Sequence, residues 1–373
     1  MLNPPLNNIE LSLQEYKRYS RQILLSEIQV EGQKRLSQAK VLCIGIGALG
    51  SSLIAYLAAA GVGYITVIDY DIVDISNLQR QIIYNTSNIN KAKVHSAFHY
   101  IQKLNPNCQI TTLKTELNSV NIRSIIYEHD VILDGTDNLS TRHLINKMCI
   151  LFSKPWVYGA VFQFEGQVSV FNYQGGPQYH DIYPLSLLNE SAIPSCTEGG
   201  IIGVIPGIIG VTQATEALKI ILGIGTTLSG KILKINLLNS QFKELKIRHN
   251  IKLDISTITQ EKENNILESD SNIIKIENLK DFLTSEKTLL IDVRSSKEFL
   301  IDKIPGAINY PLNQLKDKKI LASLKESKKQ KIIYCSLNSR SKLAFEILQA
   351  NNINALKLHN GLRAWKINAH KFS

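Results

Sequence analysis

Apolar and polar positions divide the chain into short continuous apolar runs, each followed by a stretch whose apolar residues recur every three or four positions. That alternation predicts buried parallel strands joined by helices. The first run, Val41 to Ile46, breaks into Gly45-Ile46-Gly47-Ala48-Leu49-Gly50 and passes into an apolar helix, Leu49 to Ala60, stopped by Gly61. A second strand, Tyr64 to Ile68, ends on Asp69. Further strands are expected at Gln109 to Leu113, Asp130 to Leu133 and Pro155 to Ala160. Helices are expected at Leu11 to Ala39 (broken by Gly32), at Asn90 to Leu104, and at Leu139 to Phe152 under an Asp137-Asn138 cap. Two hairpins follow, one turning at Glu165-Gly166 and one, within Lys231 to Ile247, at Asn239-Ser240. Between them Gln174 to Glu198 lacks clear periodicity.

Around residues 249–272 the pattern dissolves into polar and charged residues, an expected interdomain linker. A second, smaller α/β pattern follows, with strands at Thr288 to Val293 and Lys331 to Tyr334 and a helix at Ser339 to Ala350. The expected domains are therefore 1–250 and 273–373, joined by 251–272.

The 373 residues, 44% hydrophobic and 20% charged, fit a globular chain of two or three domains. The most apolar region, Gly199 to Gly225, is interrupted by Pro206, Gln213, Glu216 and Lys219. Its uninterrupted part falls short of the roughly 20 residues a span needs, so no membrane crossing is expected. No export signal is expected either. Cysteines at 43, 108, 149, 196 and 335 are odd in number and widely spaced, which excludes a disulfide framework and a C-x-x-C knuckle. The net charge of +10 is confined to residues 271–373, where 19 Lys and Arg stand against 9 Asp and Glu. Without interleaved aromatics it does not argue for nucleic acid; it fits solubility or an acidic protein partner.

The glycine loop, opening a helix and followed nineteen residues past Gly50 by Asp69, is the order of a nucleotide-binding βαβ start. Glycines admit phosphate to the helix N-terminus, and the acid can bond a ribose hydroxyl. By itself this fits a nicotinamide-dependent oxidoreductase equally well. The loop entered from Asp69, Asp71-Ile72-Val73-Asp74-Ile75-Ser76-Asn77-Leu78-Gln79-Arg80-Gln81, leaves the strand end where open α/β sheets bind ligands. Lys91 and Lys93 open a helix, where cations are disfavoured unless an anion is near. Arg80, Lys93 and Asp137 have no use in hydride transfer. They suit attack of a carboxylate on the α-phosphorus of ATP, where charge builds on the leaving pyrophosphate.

With these motifs in place (RYSRQ, GIGALG, DYD-x₅-NLQRQ, a KxKV helix and GTDN), residues 11–250 resemble the molybdopterin-synthase adenylyltransferases and their relatives in the ubiquitin-activating, E1-like superfamily. The resemblance implies a Rossmann-like adenylation domain with a mainly parallel sheet, using ATP and Mg²⁺. It assigns nucleotide contacts to Gly45, Gly47, Ala48, Gly50, Asp69, Ser76, Asn77, Leu78, Gln79, Arg80, Lys93, Asp137 and Asn138. Arg80, Lys93 and Asp137 would act in adenylation, with Asp137 holding Mg²⁺. Arg21 would reach the phosphates of a neighbouring subunit, implying a homodimer. The implied substrate is the C-terminal Gly-Gly carboxylate of a ubiquitin-like sulfur carrier, that of molybdopterin synthase foremost; thiamine-pathway and tRNA-thiolation carriers stay open.

The family's two C-x-x-C pairs would fall at Gln178-Tyr179-His180-Asp181 and just after Arg248. Neither place holds cysteine, so no structural zinc is expected and packing must hold that corner. Cys196, expected just before a helix at Gly199, matches a cysteine that in some relatives joins covalently to the carrier; a spare loop thiol is the other reading. Residues 273–373 resemble a rhodanese domain through Ile291-Asp292-Val293-Arg294, Glu298-Phe299, Ile304-Pro305-Gly306-Ala307-Ile308, the loop Cys335 to Ser341, and Gly361-Leu362-Arg363-Ala364-Trp365. The resemblance implies a Cys335 persulfide, with Arg340 adding positive charge, fed by thiosulfate or a cysteine desulfurase. An inactive regulatory module is the alternative. Plentiful Ile, Asn and Lys fit an A+T-rich genome, so the expected compartment is the cytoplasm, or the plastid stroma if organelle-encoded.

Overall fold

The structure, a computed structural model, describes residues 6–184, 200–248, 272–283, 287–336 and 339–368. The chain divides into two compact units, Met1–Ile258 and Thr259–Ser373.

The first unit is built on an eight-stranded sheet. Its strands are β1 (Lys40–Ile44), β2 (Tyr64–Ile68), β3 (Gln109–Leu113), β4 (Val131–Asp134), β5 (Trp156–Phe162), β6 (Glu165–Phe171), β7 (Lys231–Asn236) and β8 (Gln241–Lys246), in the order β3-β2-β1-β4-β5-β6-β7-β8. β1 to β5 run parallel; β5 to β8 form an antiparallel meander. The helices are α1 (Leu13–Ile23), α2 (Gln29–Gln38), α3 (Ala48–Ala60), α4 (Lys93–Leu104), α5 (Ile122–Tyr127), α6 (Leu139–Leu151) and α7 (Val204–Leu222). Leu53, Leu57, Val94, Ala97 and Ile209 fill one face of the sheet, and Ile122, Ile145, Cys149 and Trp156 fill the other. A sheet covered on both faces explains why β1 and β4 read as continuous apolar runs.

Several boundaries differ from the sequence expectation; α4 starts at Lys93 rather than Asn90, which leaves Lys91 outside it, and β5 runs on to Phe162. The single helix from Leu11 to Ala39 is two helices. They part between Ile23 and Gln29, while Gly32 lies buried inside α2, where a Cβ would stand 3.0 Å from Ile28 and 3.1 Å from Leu222. Close packing, not a chain break, is what this glycine serves. The first hairpin turns at Gln163-Phe164, with Gln163 in the left-handed region (φ 52°), and Glu165-Gly166 already belong to β6. Asn138 alone caps α6, accepting from Thr141 N at 2.9 Å, which leaves Asp137 outside the cap. Finally, α7 starts at Val204, eight residues beyond Cys196.

At 19 residues α7 is long and apolar enough to cross a membrane, but half of it is buried against α3, β5 and β6. Its buried Glu216 receives Lys219 Nζ at 2.6 Å and Leu228 N at 2.7 Å. It is a core helix.

The second unit is a five-stranded parallel sheet, β11-β10-β12-β13-β9, of β9 (Ile273–Ile274), β10 (Thr288–Asp292), β11 (Ile308–Asn309), β12 (Gln330–Tyr334) and β13 (Ala355–Leu358). Its helices are α8 (Ile276–Leu283), α9 (Ser296–Ile301), α10 (Lys318–Glu326), α11 (Ser339–Ala350) and α12 (Gly361–Asn368). Each face of the sheet has its own core, one around Ile333 and Leu348, the other around Leu290 and Tyr334.

Candidate functional site

Strand order in the first sheet reverses between β1 and β4, and ligands of open α/β sheets bind where it does. There the two strand ends meet as glycines. A Cβ on Gly45 would lie 2.7 Å from Gly135 O, and Gly45 also holds φ +84°, so no other residue fits. Gly47, by contrast, is open: a Cβ there would meet only Gln81 Nε2, at 3.8 Å. Gly47 caps α3 with no side chain, leaving first-turn N–H groups of Ala48 and its neighbours for an anion.

The acid after β2 is tied to this loop. Asp69 Oδ2 accepts from Ile46 N at 2.9 Å and Oδ1 accepts from Asp71 N at 2.8 Å. Each oxygen keeps a lone pair for a ribose hydroxyl. Tyr84 OH donates to Ile46 O at 2.9 Å, bracing the loop from beneath.

Residues 74–80 form a self-capped turn. Asp74 accepts from Ser76 N and Oγ at 2.8 and 2.6 Å, Asn77 Oδ1 accepts from Asp74 N at 3.2 Å, and Arg80 Nη1 donates to Ser76 O at 2.8 Å. Ser76 and Asn77 therefore shape the loop, Leu78 packs on the core, and Gln79 is exposed beside the start of α7.

Lys93 is the first residue of α4, pinned at the mouth by backbone bonds from Lys93 N to Asp71 O (3.0 Å) and Val73 N to Lys91 O (2.9 Å). Its Nζ meets Asp71 Oδ2 at 2.9 Å, which supplies the anion a first-turn cation requires. Burial pushes its pKa down; Asp69, Asp137 and Asp74 pull it up, and Arg80 adds to the depression. One electrostatic neighbourhood thus holds Asp69, Asp74, Arg80, Lys93 and Asp137, with the exposed Asp137 at its rim.

Arg21 is not brought there by its own chain. Helix α1 packs at the far end of α3, where Asn105 bonds both Tyr19 OH (2.8 Å) and Ala58 O (2.6 Å). The 13 residues of α3 separate that end from the glycine loop by about 20 Å. Cys196 lies outside the described residues. Among the described residues, no cluster of three or more His, Cys, Asp or Glu side chains is arranged to hold a metal ion.

Several residues at the site carried no motif. Asp134, fully buried at the end of β4, receives Thr136 N (2.8 Å), Thr136 Oγ1 (2.6 Å) and Arg142 Nε (3.1 Å). Burial works against the charge on Arg142, but Asp134 more than offsets it and raises its pKa; the guanidinium also donates to Thr136 O and Gly159 O and lies 4.9 Å over the Tyr158 ring. Gln213 from α7 donates to Asp134 O at 2.8 Å. Gln81, 3% exposed, faces Gly47 with its Oε1 bonded to no protein atom. Only the last residue of NLQRQ offered a signal for any of these.

At 178–181 the chain is held by rings. Tyr179 is fully buried, its centroid 5.1 Å from Trp156, 5.4 Å from Tyr158, 5.7 Å from Phe171, 4.9 Å from Tyr183 and 5.2 Å from His143. Burial, then His180, lowers the His143 pKa to about 4. The second expected cysteine position, past Arg248, lies outside the described residues.

In the second unit Cys335 follows β12, 1% exposed, its Sγ 3.5 Å from Ser341 Oγ. Leu362 N donates to Cys335 O at 2.9 Å and Arg363 N to Ser336 O at 3.2 Å, fixing the loop to the start of α12. Arg340 departs from expectation. Its charge is committed to Glu298 through two bonds, at 2.7 and 2.8 Å, with a third to Ser336 Oγ at 3.2 Å. The Arg340 bond, with help from Ser295, holds the Glu298 carboxyl down at about 2.

Comparison with known proteins places both units. Residues 19–253 match the ThiF family and residues 275–368 a rhodanese-like domain. A chain of Porphyra purpurea described as a probable molybdopterin-synthase adenylyltransferase is 40% identical over 98% of this chain and 96% of that one; a Pyropia yezoensis chain of the same description is 46% identical over 98% and 97%. A probable adenylyltransferase/sulfurtransferase of Mycobacterium tuberculosis, MoeZ, is 37% identical over 95% and 94%. The crystal structure of E. coli MccB with MccA shares the fold at a TM-score of 0.56 and 20% identity, covering 68% of this chain and 76% of that one. The chain belongs to the ThiF family of E1-like, ATP-using adenylyltransferases and carries a rhodanese-like domain behind its adenylation domain.

Proposed function

We propose that the first unit adenylates the C-terminal carboxylate of a ubiquitin-like sulfur carrier, and that the second supplies the sulfur that converts it to a thiocarboxylate. The observation that carries the reading is the gathering of Arg80, Lys93 and Asp137 around a glycine-lined switch point whose ribose acid, Asp69, is already tied to the loop.

A carboxylate oxygen attacks the α-phosphorus, the bond to the β-phosphate oxygen breaks, and pyrophosphate leaves. Asp69 bonds the ribose, Gly47 and Ala48 admit the phosphates to the helix N-terminus, and Lys93 and Arg80 meet the charge that grows on the leaving group. Asp137, exposed and free of the cap, is the residue to hold Mg²⁺, which would supply further charge compensation there. Arg21, about 20 Å from the loop of its own chain by the length of α3, would act on a neighbouring protomer, which makes the working unit a homodimer.

The Cys335 persulfide would then displace AMP from the acyl-adenylate. Attack of a second thiolate, for which Cys196 is the candidate, on the Cys335 sulfur of the resulting acyl disulfide would break its S–S bond, releasing the thiocarboxylate and leaving a Cys196–Cys335 disulfide that a cellular dithiol reduces before the next turnover. The carrier is that of molybdopterin synthase, the protein named in the descriptions of the Porphyra and Pyropia relatives, and the compartment is the cytoplasm, or the plastid stroma if the chain is organelle-encoded.

The decisive experiment offers candidate carriers of the molybdopterin, thiamine and tRNA-thiolation pathways with radiolabelled ATP. Adenylation of the molybdopterin carrier supports the reading; exclusive adenylation of another reassigns the pathway. Cys335→Ala should leave carrier-dependent ATP–pyrophosphate exchange intact while stopping thiocarboxylate formation.

A further inference from the structure

Gln81 combines a fixed backbone with an unbonded side chain. Its N donates to Asn77 O at 3.0 Å, and its O accepts from Tyr84 N at 3.1 Å. Tyr84 in turn bonds Ile46 O of the glycine loop through its hydroxyl, at 2.9 Å. The amide at the end of the side chain is 3% exposed, yet its Oε1 bonds no protein atom and no described residue accepts from its Nε2. A rigid frame thus presents an unsatisfied amide to the N-terminus of α3. Nε2 lies 3.8 Å from where a Cβ of Gly47 would stand, and nothing else comes within 4 Å of that point.

Burying an amide unbonded works against folding, and an acceptor seated over Gly47 would relieve it. The same point draws an anion, because Gly47 caps the 13-residue α3 with no side chain and leaves its first-turn N–H groups open. Distance from the ribose acid says which phosphate lies there. Asp69 Oδ2 is bonded to Ile46 N, one residue before Gly47, at 2.9 Å. The phosphate covalently joined to the ribose is therefore the one that reaches Gly47 first.

We propose that Gln81 is a substrate-binding residue that donates from Nε2 to a non-bridging oxygen of the α-phosphate. The proposal rests on the adenylation reading of the first unit. No bond to Gln81 forms or breaks in the reaction. The α-phosphate carries one negative charge in ATP and one in the acyl-adenylate, so a neutral donor grips both alike. Arg80 and Lys93 lose their partner when pyrophosphate leaves; Gln81 keeps its own, and holds the acyl-adenylate in place until sulfur arrives.

Methionine has nearly the length and volume of glutamine and no N–H, so Gln81→Met removes the donor without opening a cavity. Gln81→Glu keeps the outline and replaces the NH₂ with an acceptor, which gives the same comparison independently of packing. The experiment measures equilibrium binding of adenosine, AMP and ATP to the full chain of the wild type, Q81M and Q81E, with melting curves alongside. Q81M should melt at or above wild type, since no protein hydrogen bond goes with the amide. It should weaken AMP and ATP by the same factor, about tenfold or more, and leave adenosine, which has no phosphate, unchanged. Q81E should weaken both nucleotides further. AMP affinity that is equal in the wild type and both variants overturns the proposal. So does a loss confined to ATP, which would put the contact on the outer phosphates, and so does an equal loss of adenosine, which would make Gln81 a structural residue. A wild type that binds neither AMP nor ATP overturns the adenylation reading beneath it.

Discussion

The Lys93–Asp71 pair gives the sharpest stability prediction. Both side chains are about nine-tenths buried, at 7% and 11% exposure, and their charges stand 2.9 Å apart. At an effective dielectric near 20 the attraction is about 6 kcal/mol, and removing one partner of such a pair typically costs about 3–5 kcal/mol, because the other stays buried without compensation. Asp69, Asp74 and Asp137 also attract Lys93, so Asp71→Ala should fall at the low end, near 3 kcal/mol. In a unit of this size that lowers the melting temperature by about 6–12 °C. Asp71→Ala with Lys93→Met removes both charges and should return to within about 1 kcal/mol of wild type. The chain has two tryptophans. In a Trp365→Phe background the buried Trp156 reports the first unit alone, so thermal unfolding followed by its fluorescence measures the effect. A single substitution that shifts the midpoint by under 2 °C, or a double as unstable as the single, would refute the reasoning.

Gly45→Ala should abolish pyrophosphate exchange and destabilise the unit, since its Cβ lands 2.7 Å from Gly135 O at a positive φ. Gly47→Ala, with its nearest neighbour at 3.8 Å, should melt like wild type yet weaken ATP at least tenfold in equilibrium binding, because the methyl fills the phosphate cradle. Asp137→Ala, at an exposed position, should remove exchange with no change in melting; retained exchange would end its metal role. The Glu298 carboxyl, held at about 2 by Arg340, stabilises the second unit above its ordinary value of 4.5 and loses that contribution as pH falls from 4.5 toward 2. The pair is partly solvated, so Glu298→Gln should flatten acid unfolding by only about 1 kcal/mol, read from Trp365 fluorescence in a Trp156→Phe background. Elemental analysis should find no stoichiometric zinc, and a chelator should leave the melting curve unchanged.

The sequence was most legible where backbone geometry dictates residue type. Gly45 and Gly50 had to be glycine, β1 and β4 had to be apolar on both sides, and Asp69 stands where the strand end requires it. The roles of Asp71 and Arg142 were hidden because they come from long-range contacts: Asp71 becomes a site residue only when the 71–73 and 90–93 segments pair, and Arg142 only when α6 lies against β5. Gly32 was misread for the same reason, since its value is room for Leu222 of a distant helix. Charge was the least legible quantity. Arg340 reads as a free cation in the loop sequence, and only its position against Glu298, 42 residues upstream, cancels it.

The rings around Tyr179 bear on how the enzyme tolerates its own chemistry. Thiolates that grip a metal are nucleophiles toward sulfane sulfur, so in a sulfurtransferase any such grip stands exposed to the sulfur being handled. Trp156, Tyr158, Phe171 and Tyr179 offer sulfur nothing to attack. At 178–181 the packing of that corner is carried by rings rather than by thiolates, and the one thiol in the same cluster, Cys149, is fully buried.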